Sequence, residues 1–503
     1  MVMRKFKLFI LLAAAICCSR LSYAQEAKAN EYLVIAGTSV QQDTLWNKVA
    51  LELSKKHGDA PVIYYKNHPN ELLKEIQKYN PRYVGIVEKP ENLFRQYIID
   101  LNLFSRTIDD DIYADFLWGI ITGYDHENAM RMVKNSTEPL LMKSCVSTIM
   151  ETDDGKWFDS YFYMDDQNKG IYGYKMPWEN KTTKYSLNPQ QIEATRFRRD
   201  GKVPNLLPLF YDAYAKIDPD VVITASHGSE TALEMPFSAG FIRAKEGKLY
   251  AQFPEGDKFL VESGKRRVYL PIGNCLIGNI DSTKNSMAIA WMNSANVATY
   301  VGYVVTTWHG RNGWGGLKYL VTTPGRYTVA EAFYMNVQDM LYQMNEWYPA
   351  LVDEPYPHGE REGRKNAMAR IEKEIKCKPT MDQLGFWHDR DVVAFYGDPK
   401  WNVRLDTIEE ENDFTVDTKI EGKKCTITIK TGVYFSPDKI AGDRFKQVHV
   451  LDIPFSHFFK ERLNNPRLAE GQRWKVALDE NFILIYGNRL RPNNTYTIVL
   501  DID

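Results

Sequence analysis

Two short segments of the sequence carry residues that together suit nucleophilic chemistry. Cys275 follows an apolar run at 268–272, and His227 follows a second apolar run at 221–226. A histidine beside a cysteine favours the thiolate, which is the reactive form, and can later protonate the leaving amine of a cleaved peptide. The two segments therefore predict acyl-transfer chemistry with Cys275 as the nucleophile and His227 as the general base.

Each residue also has a structural interpretation, as a small core residue or as a polar cap of a strand. Their joint placement at one predicted sheet edge is what favours catalysis. Cys145 lies inside a predicted strand, Cys377 in a charged segment and Cys425 in an alternating strand, so we interpret these three as structural. A second His-Gly pair begins at His309, after Cys275, and we interpret it as a pocket wall or a bystander.

The elements that must position this pair are predicted to form a parallel α/β sheet. Apolar strands are predicted at 31–36, 61–65, 83–87, 116–122, 145–150, 221–226, 268–272 and 298–306, with helices at 45–56, 71–79, 126–134, 206–216, 286–293 and 329–348. Such alternation is typical of a parallel sheet covered on both faces. Because parallel strands end at one edge, where open α/β folds bind ligands, we expect His227 and Cys275 to meet there. The segment 229–267 is long enough for the crossover, and the polar segment 151–188 is predicted to be a loop.

The pattern changes after Pro399. Short alternating runs at 415–420, 425–430, 448–453, 474–478, 482–486 and 495–502 are separated by Gly, Asn and Pro, which predicts an antiparallel β-sandwich. The charged segment 355–378 before it is interpreted as a solvated helix or linker. The predicted units are therefore 1–24, 25–135, 136–404 and an immunoglobulin-like sandwich at 405–503.

Residues 1–24 have the pattern of a secretory signal peptide. A basic start precedes an apolar stretch at 8–18 that is too short for a stable anchor, and small residues at Ser22 and Ala24 precede a predicted cleavage site. Cys17 and Cys18 would be the acceptors of a lipoprotein, but neither follows a small residue. We therefore expect an exported, soluble protein, either periplasmic or secreted.

Composition narrows the functional classes further. With 44% apolar and 25% charged residues among 503, the chain is expected to be globular rather than disordered. Loss of the four cations of the signal peptide changes the formal charge from −2 to −6, which argues against a nucleic-acid partner. The sequence after residue 24 contains no uninterrupted run of 18 apolar residues, so no membrane span is predicted. The four remaining cysteines are too few for a disulfide framework and lack the spacing of a metal site.

The residues around the pair resemble a known family. Thr224-Ala-Ser-His-Gly-Ser-Glu-Thr-Ala232 and Ile272-Gly-Asn-Cys275 are similar to the His-Gly and Cys blocks of the gingipain family of caspase-like cysteine peptidases, in the same order. Tyr300-Val-Gly302, Trp308 and Phe395-Tyr-Gly-Asp-Pro399 resemble segments that close that catalytic domain. The resemblance covers about residues 32–404. It implies a caspase-like parallel-sheet catalytic domain in two subdomains, 25–135 and 136–404, followed by a β-sandwich.

The resemblance also implies roles for individual residues. Cys275 matches the nucleophile and His227 the general base, while the N–H groups of Gly228 and Cys275 would form the oxyanion hole. Glu151 falls where the family keeps an acid that orients the histidine, although a plain surface glutamate is an equal alternative. Trp308 matches an aromatic wall of the primary specificity pocket, with a core tryptophan as its alternative.

The primary specificity stays open. Arginine-specific members of the family place an acid about a dozen residues after the orienting glutamate, which here falls on the aromatic stretch 161–163. Asp159, Asp165 and Asp166 lie nearby, and we take Asp165 as the candidate substrate-binding residue, which would give specificity for a basic residue. No catalytic metal or cofactor is implied. Calcium stabilises members of the family, so the resemblance allows a structural calcium ion here. Its candidate site is the acidic loop 109–111.

The sequence thus favours an exported cysteine endopeptidase that cleaves peptide or protein substrates through an acyl-enzyme intermediate. The rival is a catalytically silent protein that keeps the fold and binds peptides or glycans in its groove. A third alternative is another acyl transfer by the same thiol, such as amidase or transpeptidase chemistry.

Overall fold

The computed structural model describes residues 31–149, 155–187, 194–198, 201–204, 206–253, 256–260, 262–357, 361–408, 413–437, 454–487 and 490–503. Among these residues, the architecture is mixed α/β around a twelve-stranded, mostly parallel sheet with further antiparallel sheets beside it. The segment 1–24 and the strand predicted at 448–453 lie outside the described residues. Within the described ranges, no helix combines the length and the apolar character needed to cross a bilayer.

The N-terminal part alternates strands and helices as predicted. Its elements are β1 (Tyr32–Gly37), α1 (Thr38–Gln41), α2 (Thr44–Lys56), β2 (Val62–Tyr65), a 3₁₀ turn (Pro69–Leu72), α3 (Leu73–Tyr79), β3 (Tyr83–Val87), a 3₁₀ turn (Pro90–Asn92), α4 (Arg95–Phe104), β4 (Leu117–Ile121) and α5 (His126–Asn135). The strands pair in parallel in the order β2-β1-β3-β4. Every residue of β1 and β3 is buried, as expected for strands covered on both faces.

The middle of the chain contains strands that extend the central sheet and strands that lie beside it. They are β5 (Leu140–Met142), β6 (Ser144–Ser147), β7 (Ser160–Met164), β8 (Ile171–Lys175), β9 (Thr183–Ser186), β10 (Ala194–Arg198), β11 (Gly201–Pro204), α6 (Leu207–Ile217), β12 (Val221–Thr224), β13 (Gly228–Ser229), β14 (Ala232–Glu234), a 3₁₀ turn (Pro236–Ser238), β15 (Phe241–Lys245), β16 (Lys248–Ala251), β17 (Lys258–Phe259) and β18 (Arg267–Pro271). The connection from β12 to β18 is a five-stranded antiparallel sheet, β13 to β17. The predicted parallel pairing of β12 with β18 is confirmed.

The segment after β18 contributes the last strands of the central sheet and the helices between them. The elements are α7 (Met287–Ser294), β19 (Val297–Tyr303), α8 (Arg311–Thr322), α9 (Val329–Trp347), a 3₁₀ turn (Pro349–Leu351), α10 (Arg361–Ile375), α11 (Met381–Asp389), β20 (Val393–Gly397) and β21 (Val403–Leu405). Strand β20 joins the two halves of the sheet, because it pairs with β4 in parallel and with β19 antiparallel. The complete order is β2-β1-β3-β4-β20-β19-β18-β12-β6-β7-β8-β9.

The loop predicted at 151–188 is wrong for the described part of that segment, because β7, β8 and β9 extend the sheet there. Tyr161, Phe162 and Tyr163 are all buried in β7. Aromatic residues are favoured in strands, where their rings pack against cross-strand neighbours. The polar residues between these aromatic stretches mark the turns of two antiparallel pairings rather than a continuous loop.

The C-terminal part forms two antiparallel sheets packed face to face. Its strands are β22 (Phe414–Glu421), β23 (Lys424–Thr431), β24 (Phe455–Phe458), β25 (Arg467–Leu468), β26 (Lys475–Asp479), β27 (Phe482–Tyr486) and β28 (Thr495–Asp501). The sheets β22-β23-β28-β25 and β24-β27-β26 enclose a core that includes Ile427, Ile498 and Ile483. A C-terminal sandwich is therefore confirmed. Its immunoglobulin-like type and the unit boundaries at 25–135, 136–404 and 405–503 stay predictions.

A buried ion network fixes β20 to the N-terminal part. The Asp398 carboxylate, directly after β20, lies 2.7 Å from Lys56 Nζ and 2.7 Å from His57 Nε2, and it accepts a hydrogen bond from Tyr32 Oη at 3.0 Å. Burial alone would raise the pKa of Asp398, but the hydrogen bond from His57 and the charge of Lys56 hold it well below its usual range. The carboxylate thus stays ionised, and the network joins β1, α2 and β20.

Replacing Asp398 with Asn should destabilise the protein, because Lys56 would lose the buried carboxylate that compensates its charge. We expect the free energy of unfolding to fall by about 3–5 kcal/mol. Asp501→Asn removes an exposed partner of Lys424 and should cost less than about 1 kcal/mol. Urea titrations of both variants measure these values. Equal, small losses would contradict a supporting role for the network.

Candidate active site

The site begins where two buried parallel strands end. In the register of β12 with β18, Thr224 lies opposite Pro271, and all residues of both strands are buried. His227 comes three residues after the end of β12, and Cys275 comes four residues after the end of β18. Both residues therefore leave the sheet at the same carboxyl edge, as predicted.

Asn274 connects the two loops directly. Its Oδ1 accepts a hydrogen bond from Thr224 Oγ1 at 2.7 Å, and its Nδ2 donates to the carbonyl of Ser226 at 2.8 Å. Tyr269 Oη lies 2.9 Å from the same Thr224 hydroxyl. Asn274 is fully buried, so these bonds form away from water. The residue before the cysteine is thereby bonded to the residue before the histidine.

The backbones of the two loops also approach closely at Gly228. A Cβ atom at this position would lie 3.0 Å from the carbonyl oxygen of Cys275 and 3.3 Å from Asn274 Cβ. Such contacts are tighter than van der Waals packing normally allows, so any larger side chain would push the loops apart. Glycine at 228 therefore lets the loop of His227 lie against the loop of Cys275.

The thiol of Cys275 is half-buried at this edge. Its Sγ accepts a hydrogen bond from the N–H of Thr307 at 3.2 Å, and the Thr307 hydroxyl donates to the carbonyl of Asn274 at 3.3 Å. A backbone N–H directed at sulfur stabilises a thiolate more than a thiol. Leu276, directly after the cysteine, has a left-handed φ of 59°, which costs about 1–3 kcal/mol for a residue other than glycine. The thiol is thus held by a strained turn and a hydrogen bond.

The other described cysteines are in different environments. Cys145 and Cys425 are buried, and burial raises the pKa of both thiols. Cys377 is exposed between α10 and α11. Of these four, Cys275 is the one at the carboxyl edge of the central sheet.

The imidazole of His227 is exposed to solvent, and no hydrogen bond within the described residues joins its ring to Cys275. Ligand-free sites often have long catalytic hydrogen bonds that shorten only when substrate binds. Glu151 lies outside the described residues, and its orienting role stays a prediction. The structure thus brings the two loops together through Asn274 and Gly228 without joining the two reactive groups.

Trp308 lies next to the thiol-binding residue Thr307. Its half-buried indole packs against the ring of His388, with ring centroids 4.9 Å apart, and against the guanidinium of Arg364, which lies 5.0 Å from the indole centroid. His309 is buried, neither of its ring nitrogens has a hydrogen-bond partner in the described structure, and burial lowers its pKa to about 4. His309 is therefore neutral at pH 7.

Asp165 lies at the end of β7 and is buried. Its Oδ1 accepts hydrogen bonds from the N–H groups of Gln167 and Asn168, at 2.9 and 2.7 Å, and its Oδ2 accepts one from Asn168 Nδ2 at 3.0 Å. These bonds close the turn between β7 and β8. Both carboxylate oxygens of Asp165 therefore accept hydrogen bonds from within the turn that follows it.

An acidic cluster lies apart from this edge. Carboxylate oxygens of Asp109, Asp111 and Asp479 lie within 4.8 Å of one another. Burial raises the pKa of Asp111 to about 6 and that of Asp479 to about 8, and it raises the pKa of nearby Asp115 to about 9. A donor set made only of carboxylate oxygens suits a hard cation such as calcium rather than zinc. The candidate loop 109–111 thus gains a third carboxylate from β26.

Comparisons with known proteins found no matching family model and no match among curated proteins. Solved structures similar to this chain include the Arg-specific cysteine proteinase gingipain R, with 9% identity and a TM-score of 0.41, covering 95% of this chain and 92% of that chain. A structure described only as a protease has 11% identity and a TM-score of 0.40, with 80% and 85% covered. The complex of pro- and mature domains of RgpB from Porphyromonas gingivalis has 9% identity and a TM-score of 0.39, with 94% and 93% covered. Identities this low do not assign the chain to a family.

The acidic cluster predicts how stability depends on pH. A carboxyl whose folded-state pKa is raised stabilises the fold while it is protonated, and this contribution is lost as pH rises through the folded pKa. With a chelator present, the free energy of unfolding should therefore fall as the pH rises from about 4, the ordinary pKa of an aspartate in an unfolded chain, to about 9, by up to about 1.4 kcal/mol per pH unit for one group. Asp479→Asn should reduce that slope, whereas Asp417→Asn, at an exposed position, should leave it unchanged. Urea titrations at each pH measure the free energy of unfolding of wild type and both variants. The same pH dependence in all three proteins would contradict the raised pKa of Asp479.

Proposed function

We propose that this protein is an exported cysteine endopeptidase of the gingipain type, with Cys275 as its nucleophile and His227 as its general base. The observation that carries the proposal is the bridge from Asn274 to Ser226. It holds the loop of a half-buried thiol against the loop of an exposed imidazole at the carboxyl edge of the sheet. Two loops with independent roles would not need to be bonded to each other in this way.

The chemistry proceeds in two steps. In the first, His227 takes the thiol proton, Cys275 Sγ attacks the scissile carbonyl, and the C–N bond breaks as the leaving amine accepts that proton. In the second, water loses a proton to His227 and attacks the thioester, which releases the acid and restores the thiol. The N–H of Thr307 supports this route because its hydrogen bond holds the attacking sulfur in place.

The oxyanion that forms in each step needs hydrogen-bond donors. We assign these to the N–H groups of Gly228 and Cys275, since the close approach of Gly228 to Cys275 supports a shared site. Glu151 is assigned the role of orienting His227. Trp308 is assigned a wall of the primary specificity pocket because it directly follows the residue that contacts the thiol.

Calcium fits this account only as a structural ion. Asp109, Asp111 and Asp479 would hold it, and its charge would relieve the repulsion among three neighbouring carboxylates. We also propose that residues 1–24 direct export and are then removed. Peptide or protein chains are the proposed substrates.

The second candidate is a catalytically silent protein that binds peptides or glycans at the same edge. It is favoured by one observation: within the described residues, the ring of His227 makes no hydrogen bond to Cys275. A binding protein would need the groove but not a reactive thiol. Covalent labelling of the thiol therefore separates the two candidates.

Wild-type protein should react with peptidyl acyloxymethyl ketones, which label a cysteine peptidase at its nucleophile. The set should carry basic, acidic and neutral residues beside the ketone, so that unknown specificity does not hide a reaction. Labelling should disappear in Cys275→Ala and persist in Cys377→Ala, which removes the exposed thiol. His227→Ala should slow labelling by about 10²–10⁴-fold. Mass spectrometry of the labelled chain gives the result, and equal labelling of wild type and Cys275→Ala would exclude the peptidase.

Asn274→Asp should reduce catalysis, and it should also lower the melting temperature because it places a carboxylate at a fully buried position. The variant keeps the size of the side chain and the acceptor for Thr224, but it loses the N–H donors to Ser226. Because misplacement of a reacting group by about 1 Å costs about 10²-fold, we expect a loss of that order in kcat/KM. Asn285→Ala, on the same loop as Asn274, removes only the acceptor for the N–H of Glu246 and should retain activity. A loss in Asn274→Asp that only follows its melting temperature would contradict the positioning role.

A further inference from the structure

The charge around Trp308 bears on the substrate. Thr307 donates its N–H to Cys275 Sγ, so the indole of the next residue borders the space beside the nucleophile. The guanidinium carbon of Arg364, on α10, lies 5.0 Å from the indole centroid. Stacking on an aromatic face is favourable for a guanidinium and leaves its N–H groups at the ring's edge free to bind an anion.

Arg364 has no anionic partner in the part of the chain that the structure describes. Its Nε is buried without a hydrogen-bond partner, and no described carboxylate forms an ion pair with its guanidinium. A buried, unpaired donor costs about 1–3 kcal/mol, and such a group in a native protein calls for an explanation, which a bound anion would supply. The arrangement therefore leaves one positive charge beside Trp308 uncompensated.

Two acids of α11 already have partners of their own. Asp389 accepts hydrogen bonds from His388 Nδ1 at 2.9 Å, from Tyr303 Oη at 3.3 Å and from the N–H of Arg311. Asp382 forms an ion pair with Arg311 at 2.6 Å. Both carboxylates are therefore engaged by groups other than Arg364.

The titratable rings beside Arg364 are neutral at pH 7. Burial lowers the pKa of His309 to about 4 and raises the pKa of Tyr356 to about 12, and the charge of Arg364 acts on both groups. Neither ring can therefore cancel the guanidinium. Asp165 is the candidate partner for a basic side chain of the substrate, but its carboxylate accepts hydrogen bonds within its own turn. The described residues thus supply a cation to the space beside Trp308 and no free carboxylate.

We propose that Arg364, held on the face of Trp308, selects substrates with an acidic side chain, Asp or Glu, at P1, the residue that donates the scissile carbonyl. The inference rests on the proposed peptidase function and names its substrate class. A guanidinium presents parallel N–H groups that match the two oxygens of a carboxylate. A charge-assisted contact of this kind corresponds to a preference of about 10- to 100-fold for Glu over Gln at P1.

Digestion of an unfolded protein by the purified full chain, with the cleavage sites mapped by mass spectrometry, tests the inference. Peptide pairs that differ only at P1, as Glu against Gln and Asp against Asn, then give the ratio of kcat/KM. Arg364→Glu should abolish the preference for acidic P1 residues and favour Lys or Arg. Arg364→Gln should only remove the preference. Lys365→Glu changes the charge equally at the next, exposed position of α10 and should keep the wild-type preference.

Cleavage after acidic residues that depends on Arg364 but not on Lys365 would support the proposal. Efficient cleavage with basic or unselective P1 residues would overturn it while leaving the peptidase function intact. An unchanged acidic preference in Arg364→Glu, with an unchanged melting temperature, would overturn the role of Arg364. Absence of both cleavage and Cys275 labelling would instead remove the peptidase function, and the inference with it.

Discussion

The parallel register of β12 with β18 is the constraint on which the site depends. It places Thr224 opposite Pro271, so that the loops of His227 and Cys275 start side by side. Asn274 reaches back to Thr224 and across to Ser226, and neither bond would survive a shift in this register. A slip of one residue would also turn the buried side chains of a strand toward the opposite face. The position of the thiol is therefore a property of the sheet rather than of a flexible loop.

Buried polar groups at the joints of the fold keep that sheet in one arrangement. Asp398 ties β20 to the N-terminal part, and β20 in turn separates β4 from β19. A second buried network connects Arg106 and Arg390 through the carboxylate of Asp391. Such groups add little net stability compared with apolar packing, but an unpaired partner is costly. In this chain both networks lie where elements distant in sequence meet.

Much of this architecture was accessible from the sequence because it rests on local patterns. Long apolar runs marked β1, β3, β12 and β18, and parallel strands must end at a common edge, which placed His227 and Cys275 together. The direction of β20 was not accessible, since it depends on the connection through α11 rather than on the residues of the strand. Strands β7 to β9 were missed because the polar residues between their short aromatic stretches resemble a loop.

For a related reason, the sequence pattern did not identify the residues that complete the site. Asn274 acts on Ser226, 48 positions earlier, and Arg364 lies on Trp308, 56 positions earlier. No spacing rule connects residues so far apart in the chain. A polar residue directly before the cysteine was visible, but its partner was not. The interpretation of 355–378 as a solvated segment likewise overlooked Arg364, whose helix also buries Ala367 and Ile371.

Trapping the acyl-enzyme tests the central claim most directly. Wild-type protein mixed with a peptide ester and quenched in acid within milliseconds to seconds should carry the acyl group as a thioester on Cys275, located by mass spectrometry and removed by hydroxylamine. His227→Ala should form the same adduct far more slowly. An adduct on Cys377 instead of Cys275, or no adduct in wild type under conditions where the peptide ester is consumed, would contradict the assignment of Cys275 as the nucleophile.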